Sequence, residues 1–419
     1  MKKLNKFFAV LVALAMMATL CVSMAFAEKP ADATADISKT LSLPVGTKIP
    51  GDTYTFRFTQ ITNDENAISD ANAQNAQEQN VATFDKTATY SEAGTVADKA
   101  SYVANVEDVF AGLTFPKAGV YKYTVKEVIP EANAEAGVSV ETKENAKDVV
   151  TKVTPDAQKK ITTTEKTSYS EAEYVIIVGV ATKDGETYVE TIKAQQTKDQ
   201  EGKATTGEKL DPTVGEDGKS DVNFDNEYVK SVTNDDPQDP GDDPQGTQDG
   251  QTLYIEKKVD VPTGVTAPAD KDTKLFHFTV DVEVPAGTQT DVEYKVVKAN
   301  GTVPETATKV TLANNKGQII EDLANGDRIV LTNVPFGTTY EVTEDDYPAY
   351  DEAISYNVES KIVTDGAKNA SIATNTYNKD KDPATGLSIA NLPFIVLALV
   401  AVGGLVAYVV VRRKSEDNA

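Results

Sequence analysis

Short runs of alternating apolar and polar residues recur in both halves of this chain, in the same order. Each half has an opening run with a central Lys, an aromatic run, and a Tyr-containing run that ends in Glu. Lys39 and Glu127 are 88 positions apart in the first half, and Lys257 and Glu344 are 87 apart in the second. Period-two alternation broken by Gly, Pro, Asn and Asp is typical of β-sandwich strands. The repeat therefore predicts one all-β architecture used twice.

The composition divides the chain further. Residues 233–251 read TNDDPQDPGDDPQGTQDGQ, which has no apolar residue and cannot bury a core, so we expect an extended acidic linker. The closing runs of the two halves are spaced differently, which predicts an insertion over much of Val138–Lys203 in the first domain. The predicted divisions are 1–27, 28–232, 233–251, 252–379 and 380–419.

The composition excludes several classes of function. The formal net charge is −24, and such an acidic chain repels phosphate backbones, which argues against a nucleic-acid partner. The only Cys and all four Met lie within the first 27 residues, so disulfides and Cys-metal sites are excluded after them. His277 is the only His and is expected to face solvent on a strand rather than bind a metal. No metal or cofactor is expected.

The amino terminus has the pattern of a secretory signal peptide. Lys2, Lys3 and Lys6 precede an apolar stretch, and Ala-Phe-Ala then forms a small-x-small cleavage pattern. Cleavage is expected between Ala27 and Glu28. An uncleaved amino-terminal membrane anchor is the alternative.

The carboxyl terminus combines a short motif, an apolar span and a basic tail. Residues 392–411 carry no charge and are long enough to cross a bilayer as a transmembrane helix, and the cations at 412–414 are expected to stay in the cytoplasm. Just before the span lies a Pro-x-Thr-Gly motif, made of Pro383, Ala384, Thr385 and Gly386. The arrangement resembles the cell-wall sorting signal of Gram-positive surface proteins.

That resemblance implies export, cleavage by a sortase between Thr385 and Gly386, and attachment to cell-wall peptidoglycan. Asp382 stands where the motif usually has Leu, which leaves the class of sortase open. The alternative is a plain membrane anchor with a Pro-Gly turn in its stalk.

Strand parity places three polar residues of each half on the face that should be buried, because successive side chains alternate between the two faces of a strand. These residues are Lys39, Glu127 and Asn226 in the first half, and Lys257, Glu344 and Asn375 in the second. Lys258 is a rival to Lys257, but parity turns it outward.

An isolated buried charge is costly, so these groups must compensate one another. Desolvation lowers the pKa of a Lys and raises that of a Glu, which lets both become neutral. A neutral amine held against a carboxamide can attack it, releasing ammonia and leaving a Lys-Asn isopeptide bond. The alternative is that the strand ends fray and these side chains are solvated.

The runs that carry these residues resemble the isopeptide-linkage domains of streptococcal-type pilins and collagen-adhesin B-type modules. The resemblance implies two immunoglobulin-like β-sandwich domains in tandem. It also implies bonds from Lys39 to Asn226 and from Lys257 to Asn375, with Glu127 and Glu344 as the catalytic acids.

The sequence as a whole predicts a structural or adhesive cell-surface protein, a pilin subunit or a surface adhesin, rather than an enzyme. Its expected partners are a sortase, peptidoglycan and other pilin subunits; its adhesive ligand is not indicated. Two other functions remain open. One is a membrane-retained extracellular binding module without sortase processing, and the other is a secreted carbohydrate hydrolase that uses paired carboxylates.

Overall fold

The computed structural model describes residues 30–61, 83–142, 146–237 and 251–381. Over these ranges the chain is all-β and contains no α-helix, as the sequence predicts. None of the described residues forms a helix capable of crossing a membrane. The predicted signal peptide, the sorting motif, the span at 392–411 and the basic tail at 412–414 lie outside the described residues.

Within the described residues, twelve strands form the first domain. They are β1 (Ile37–Ser42), β2 (Tyr54–Gln60), β3 (Thr83–Ala88), β4 (Ser101–Val106), β5 (Gly119–Val128), β6 (Val138–Glu141), β7 (Val149–Asp156), β8 (Ile161–Ser168), β9 (Glu173–Lys183), β10 (Glu186–Lys198), β11 (Lys209–Leu210) and β12 (Asn223–Asn234). One sheet has the order β11-β10-β9-β5-β2-β3. In the other, β1 pairs with β4 and in parallel with β12, and β12 continues through β8 and β7 to β6.

In the described range 251–381, nine strands form the second domain. They are β13 (Leu253–Asp260), β14 (Phe276–Glu283), β15 (Asp291–Val297), β16 (Thr308–Thr311), β17 (Lys316–Leu323), β18 (Arg328–Pro335), β19 (Thr339–Glu344), β20 (Tyr350–Tyr356) and β21 (Ala370–Tyr377). A three-stranded sheet, β17-β14-β19, faces a larger one in which β13 lies between β18 and β21. β13 and β21 are parallel, as β1 and β12 are in the first domain.

Aromatic side chains fill the space between the sheets. In the first domain the ring of Phe56 on β2 lies 4.9 Å from that of Phe224 on β12, and both residues are fully buried. Phe276 and Phe278 on β14 are fully buried in the second domain. Large aromatic rings contribute much of the burial that stabilises such a core. Each domain is thus a β-sandwich.

The predicted insertion, Val138–Lys203, is part of both sheets of the first domain. Its residues form β6, β7 and β8 beside β12, and β9 and β10 beside β5. The inward side chains of β9 are fully or almost fully buried. The inserted segment therefore completes the sandwich.

The two domains touch directly. Residues 231–233 of β12 pair with residues 333–335 of β18, so one sheet passes from the first domain into the second. The sequence places Thr233 and Asn234 in the linker, whereas both end β12, and Asn234 is 1% exposed. Composition did not reveal this because backbone hydrogen bonds to β8 and β18 extend β12 beyond Val232, its last apolar residue.

Candidate functional site: two buried Lys-Glu-Asn triads

Three strands bring the polar residues of the first domain together. Lys39 lies on β1, Asn226 on β12 and Glu127 on β5 of the opposite sheet. Because β1 and β12 are parallel neighbours, their inward side chains project side by side toward β5. Lys39 and Asn226 are fully buried, and Glu127 is 7% exposed.

Glu127 bridges the other two side chains. The Lys39 Nζ donates a hydrogen bond of 2.9 Å to Glu127 Oε2 and a weaker one of 3.2 Å to the Phe224 carbonyl oxygen. The Asn226 Nδ2 donates one of 3.0 Å to Glu127 Oε1. A single carboxyl group therefore contacts both the amine and the carboxamide.

The surroundings of this triad are buried and aromatic. The Lys39 Nζ lies 5.0 Å from the centre of the Tyr54 ring, and Tyr90 and Tyr169 pack against that ring. Burial is the largest effect on both ionisable groups: it lowers the pKa of Lys39 to about 8 and raises the pKa of Glu127. Both shifts favour the neutral forms.

The second domain repeats the arrangement. The Lys257 Nζ on β13 contacts both carboxyl oxygens of Glu344 on β19, at 3.0 and 2.9 Å, and the Asn375 Nδ2 on β21 donates a hydrogen bond to Glu344 Oε1. The Lys257 Nζ lies 4.0 Å from the centre of the Phe276 ring. Burial again dominates, lowering the pKa of Lys257 to about 8 and raising that of Glu344. The rival Lys258 is exposed and pairs with Asp260.

The two sites differ at the carboxamide oxygen. The Asn226 Oδ1 accepts a 2.8 Å hydrogen bond from the backbone N–H of Ser170, in the turn between β8 and β9. The Asn375 Oδ1 is buried and has no hydrogen-bond partner among the described residues. Sequence reasoning missed Ser170, because its backbone N–H leaves no trace in the residue pattern and the insertion that contains it has no counterpart in the second half.

The remaining predicted site residues fall elsewhere. His277 lies on the solvent side of β14, and its Nδ1 is 2.8 Å from Asp322 Oδ1. No group of three or more His, Cys, Asp or Glu side chains arranged to hold a metal ion occurs in the part of the chain that the structure describes. The residues predicted for signal cleavage, Ala27 and Glu28, and for sorting, at 383–386, lie outside that part.

Comparisons with known proteins give three kinds of match. Residues 251–377 match a family model described as a domain of unknown function (DUF7601). A pilin of Streptococcus pyogenes serotype M1 is 30% identical over 175 residues, covering 38% of this chain and 48% of that protein. The chain therefore spans about half the length of this relative.

Among solved structures, the chain resembles the major pilin of Streptococcus pyogenes, with 20% identity, 83% of this chain and 99% of that chain covered, and a TM-score of 0.27. It also resembles a pilus-presented adhesin, with 10% identity, 81% and 100% coverage, and a TM-score of 0.21. These are distant superpositions, and no residue role follows from them.

Proposed function

We propose that this protein is a structural or adhesive subunit of pilus type on a Gram-positive cell surface, in which each domain closes itself with one Lys-Asn isopeptide bond. The observation that carries the proposal is the recurrence of a buried Lys-Glu-Asn triad in both domains. A solvated Lys or Glu at a frayed strand end would not be buried twice in the same arrangement. The pilin that is 30% identical over part of its length supports the proposal.

The reaction needs only these three side chains. The neutral Lys39 amine attacks the Asn226 carbonyl carbon, forming a C–N bond and a tetrahedral intermediate. Glu127 donates its proton to the departing Nδ2 and takes one from the attacking Nζ, and the original C–N bond of Asn226 breaks. One ammonia leaves and Glu127 ends protonated, as it began. Each domain reacts once, so the protein is not a turnover enzyme.

The bond would fasten the first strand of each domain to its last. The strands β1 and β12, which carry Lys39 and Asn226, are parallel neighbours, as are β13 and β21, which carry Lys257 and Asn375. Pulling the termini of a domain would then load a covalent bond instead of a ladder of hydrogen bonds. Resistance to unfolding and proteolysis of this kind suits a chain displayed outside the cell without disulfides.

Peptide mapping tests this chemistry at the level of single residues. A digest of the purified ectodomain should contain two branched peptides, one joining Lys39 to Asn226 and one joining Lys257 to Asn375. Glu127→Gln should abolish the first and keep the second, and Glu344→Gln should do the reverse. Linear peptides with free Lys39 and Lys257 in the unsubstituted protein would refute the proposed cross-links.

The surface assignment rests on the sorting motif and is tested separately. We propose that a sortase cleaves between Thr385 and Gly386 and joins the chain to peptidoglycan or to another pilin subunit. Immunoblots of the native cell wall should show high-molecular-weight ladders for a polymerised subunit, or one discrete wall-bound band for a single anchored adhesin. Thr385→Ala should remove the ladder or the wall-bound band, and the protein should appear in the membrane fraction instead. A mature protein that extends beyond Gly386 would contradict sortase processing.

A further inference from the structure

The insertion in the first domain reaches the reactive triad. The turn that joins β8 to β9, residues 169–172, lies beside Asn226. Its Tyr169 ring packs 6.2 Å from Tyr54, which lines the Lys39 amine, and its Ser170 is 2% exposed. The segment for which the sequence indicates no role therefore forms part of the wall of the site.

The Ser170 N–H fixes the orientation of the carboxamide. A backbone N–H can only donate, so the atom that faces it at 2.8 Å must be the oxygen of Asn226, and Nδ2 is left facing Glu127. This orientation suits the reaction. The attacked carbonyl oxygen meets a donor, and the departing nitrogen meets the acid that protonates it.

Gln200, also in the insertion, fastens this turn to β12. Its Oε1 accepts hydrogen bonds from the Ser170 hydroxyl at 2.6 Å and from the Asp225 backbone N–H at 3.0 Å. Its Nε2 donates one of 2.9 Å to the Asn223 carbonyl oxygen. One side chain thus sets the position of Ser170 relative to the strand that carries Asn226.

We propose that the backbone N–H of Ser170 acts as an oxyanion donor for isopeptide formation in the first domain, and that Gln200 positions it. This inference rests on the proposed function. Negative charge develops on Asn226 Oδ1 as the amine attacks, and a fixed donor in a buried site stabilises that charge. In the second domain, Asn375 Oδ1 has no corresponding donor among the described residues.

Ser170→Pro tests the donor directly, since it removes the N–H, while the matched variant Ser170→Ala keeps it. Chains are made in a short pulse of cell-free synthesis, quenched in denaturant at intervals, and each branched peptide is quantified. Ser170→Pro should slow the Lys39-Asn226 bond by about 100-fold, the usual effect of losing one oxyanion donor. Ser170→Ala keeps the N–H but loses the hydroxyl that Gln200 holds, so it should slow the bond no more than Gln200→Ala does. The Lys257-Asn375 bond in the same chain is the internal control and should not change.

Gln200→Ala keeps the inference testable if Ser170→Pro prevents the first domain from folding. It should slow the first bond alone, by less than Ser170→Pro. If Gln200 only stabilised the fold, Gln200→Ala would lower the unfolding temperature and leave the rate of bond formation in the folded chain unchanged.

The outcomes separate two kinds of failure. If neither bond forms in the unsubstituted chain, the proposed function fails. Suppose that both bonds form in the unsubstituted chain. If the Lys39-Asn226 bond then forms at the same rate in a folded Ser170→Pro variant, this inference alone is overturned. Should that variant not fold, an unchanged rate in Gln200→Ala overturns it instead.

Discussion

At the scale of single residues, the amine at the centre of each site is unusual because it is held among aromatic rings. The Lys39 Nζ has Tyr54 beside it, and the Lys257 Nζ has Phe276 and Phe278 within 5.7 Å of their ring centres. Few solvent dipoles can reach either cation, so its charged form is penalised. The Glu partner offsets part of this penalty but is itself driven toward its neutral form by burial.

The depressed pKa of Lys39 predicts a pH dependence of stability. In Glu127→Gln the proposed bond should not form, and the pKa of Lys39, about 8 with Glu127 in place, should fall further because the carboxylate that raised it is gone. Between that value and 10.5, the unfolded chain binds a proton that the folded chain does not, so the free energy of unfolding rises with pH. The gain from pH 8 to 10.5 should be roughly 3 kcal/mol.

The control for this prediction is Glu127→Gln combined with Lys39→Met, which has no amine to titrate. Urea unfolding of both variants at several pH values isolates the contribution of Lys39. Parallel pH profiles for the two variants would show that Lys39 is solvated.

At the scale of elements, the pairing of β1 with β12 brings Lys39 and Asn226 together, and Phe224 packs against the opposite sheet. This residue on β12 is fully buried, and its ring contacts Phe56 and Tyr174. Its carbonyl oxygen also accepts a hydrogen bond from the Lys39 amine. The packing of the core and the placement of the Lys39 amine therefore depend on the same short stretch of strand.

Truncating this ring should destabilise the first domain. Phe224→Ala leaves a cavity between the sheets and should cost roughly 3–5 kcal/mol of unfolding free energy. Val120→Ala, on the outer face of β5 where the side chain is 49% exposed, should cost less than about 0.5 kcal/mol. Urea unfolding of both variants, each in the Glu127→Gln background, provides the comparison. Equal costs would contradict the packing described here.

Period-two alternation is enough to predict the strands that carry the triads and the faces that their residues occupy. Lys39 and Glu127 are found on the inward register because parity is a local property that the sequence displays. The contact between Ser170 and Asn226 could not be predicted, since it depends on how a turn in an insertion packs 56 positions away from its partner. The register of β12 against β18 depends on backbone pairing between domains and was equally hidden.

At the scale of the whole molecule, the junction between the domains has its own polar contact. The Lys230 Nζ on β12 lies 2.7 Å from Asp365 Oδ2 in the second domain, and both side chains are largely buried. Nearby, Gly337 has a φ of +87°, and a Cβ there would lie 2.4 Å from Pro44. Close packing, an ion pair and strand pairing together favour a fixed angle between the two domains.

Removing the ion pair should loosen the junction. Asp365→Ala leaves the largely buried Lys230 ammonium without its carboxylate, which disfavours the docked arrangement. Small-angle X-ray scattering should show a larger maximum dimension than for the unsubstituted ectodomain. Asp351→Ala removes an exposed ion pair with Lys381 and is the control that should leave the scattering unchanged. Identical scattering from all three proteins would mean that Asp365 does not hold the junction.

The intact mass of the ectodomain, residues 28–381, reports directly on whether the two isopeptide bonds form. Two isopeptide bonds release two molecules of ammonia, so the protein should weigh about 34 Da less than its sequence requires. Glu127→Gln and Glu344→Gln should each show a deficit of about 17 Da against their own sequence masses, and the double variant none. A mass equal to the sequence value in the unsubstituted protein would contradict the account and leave the buried triads as unreacted ion pairs.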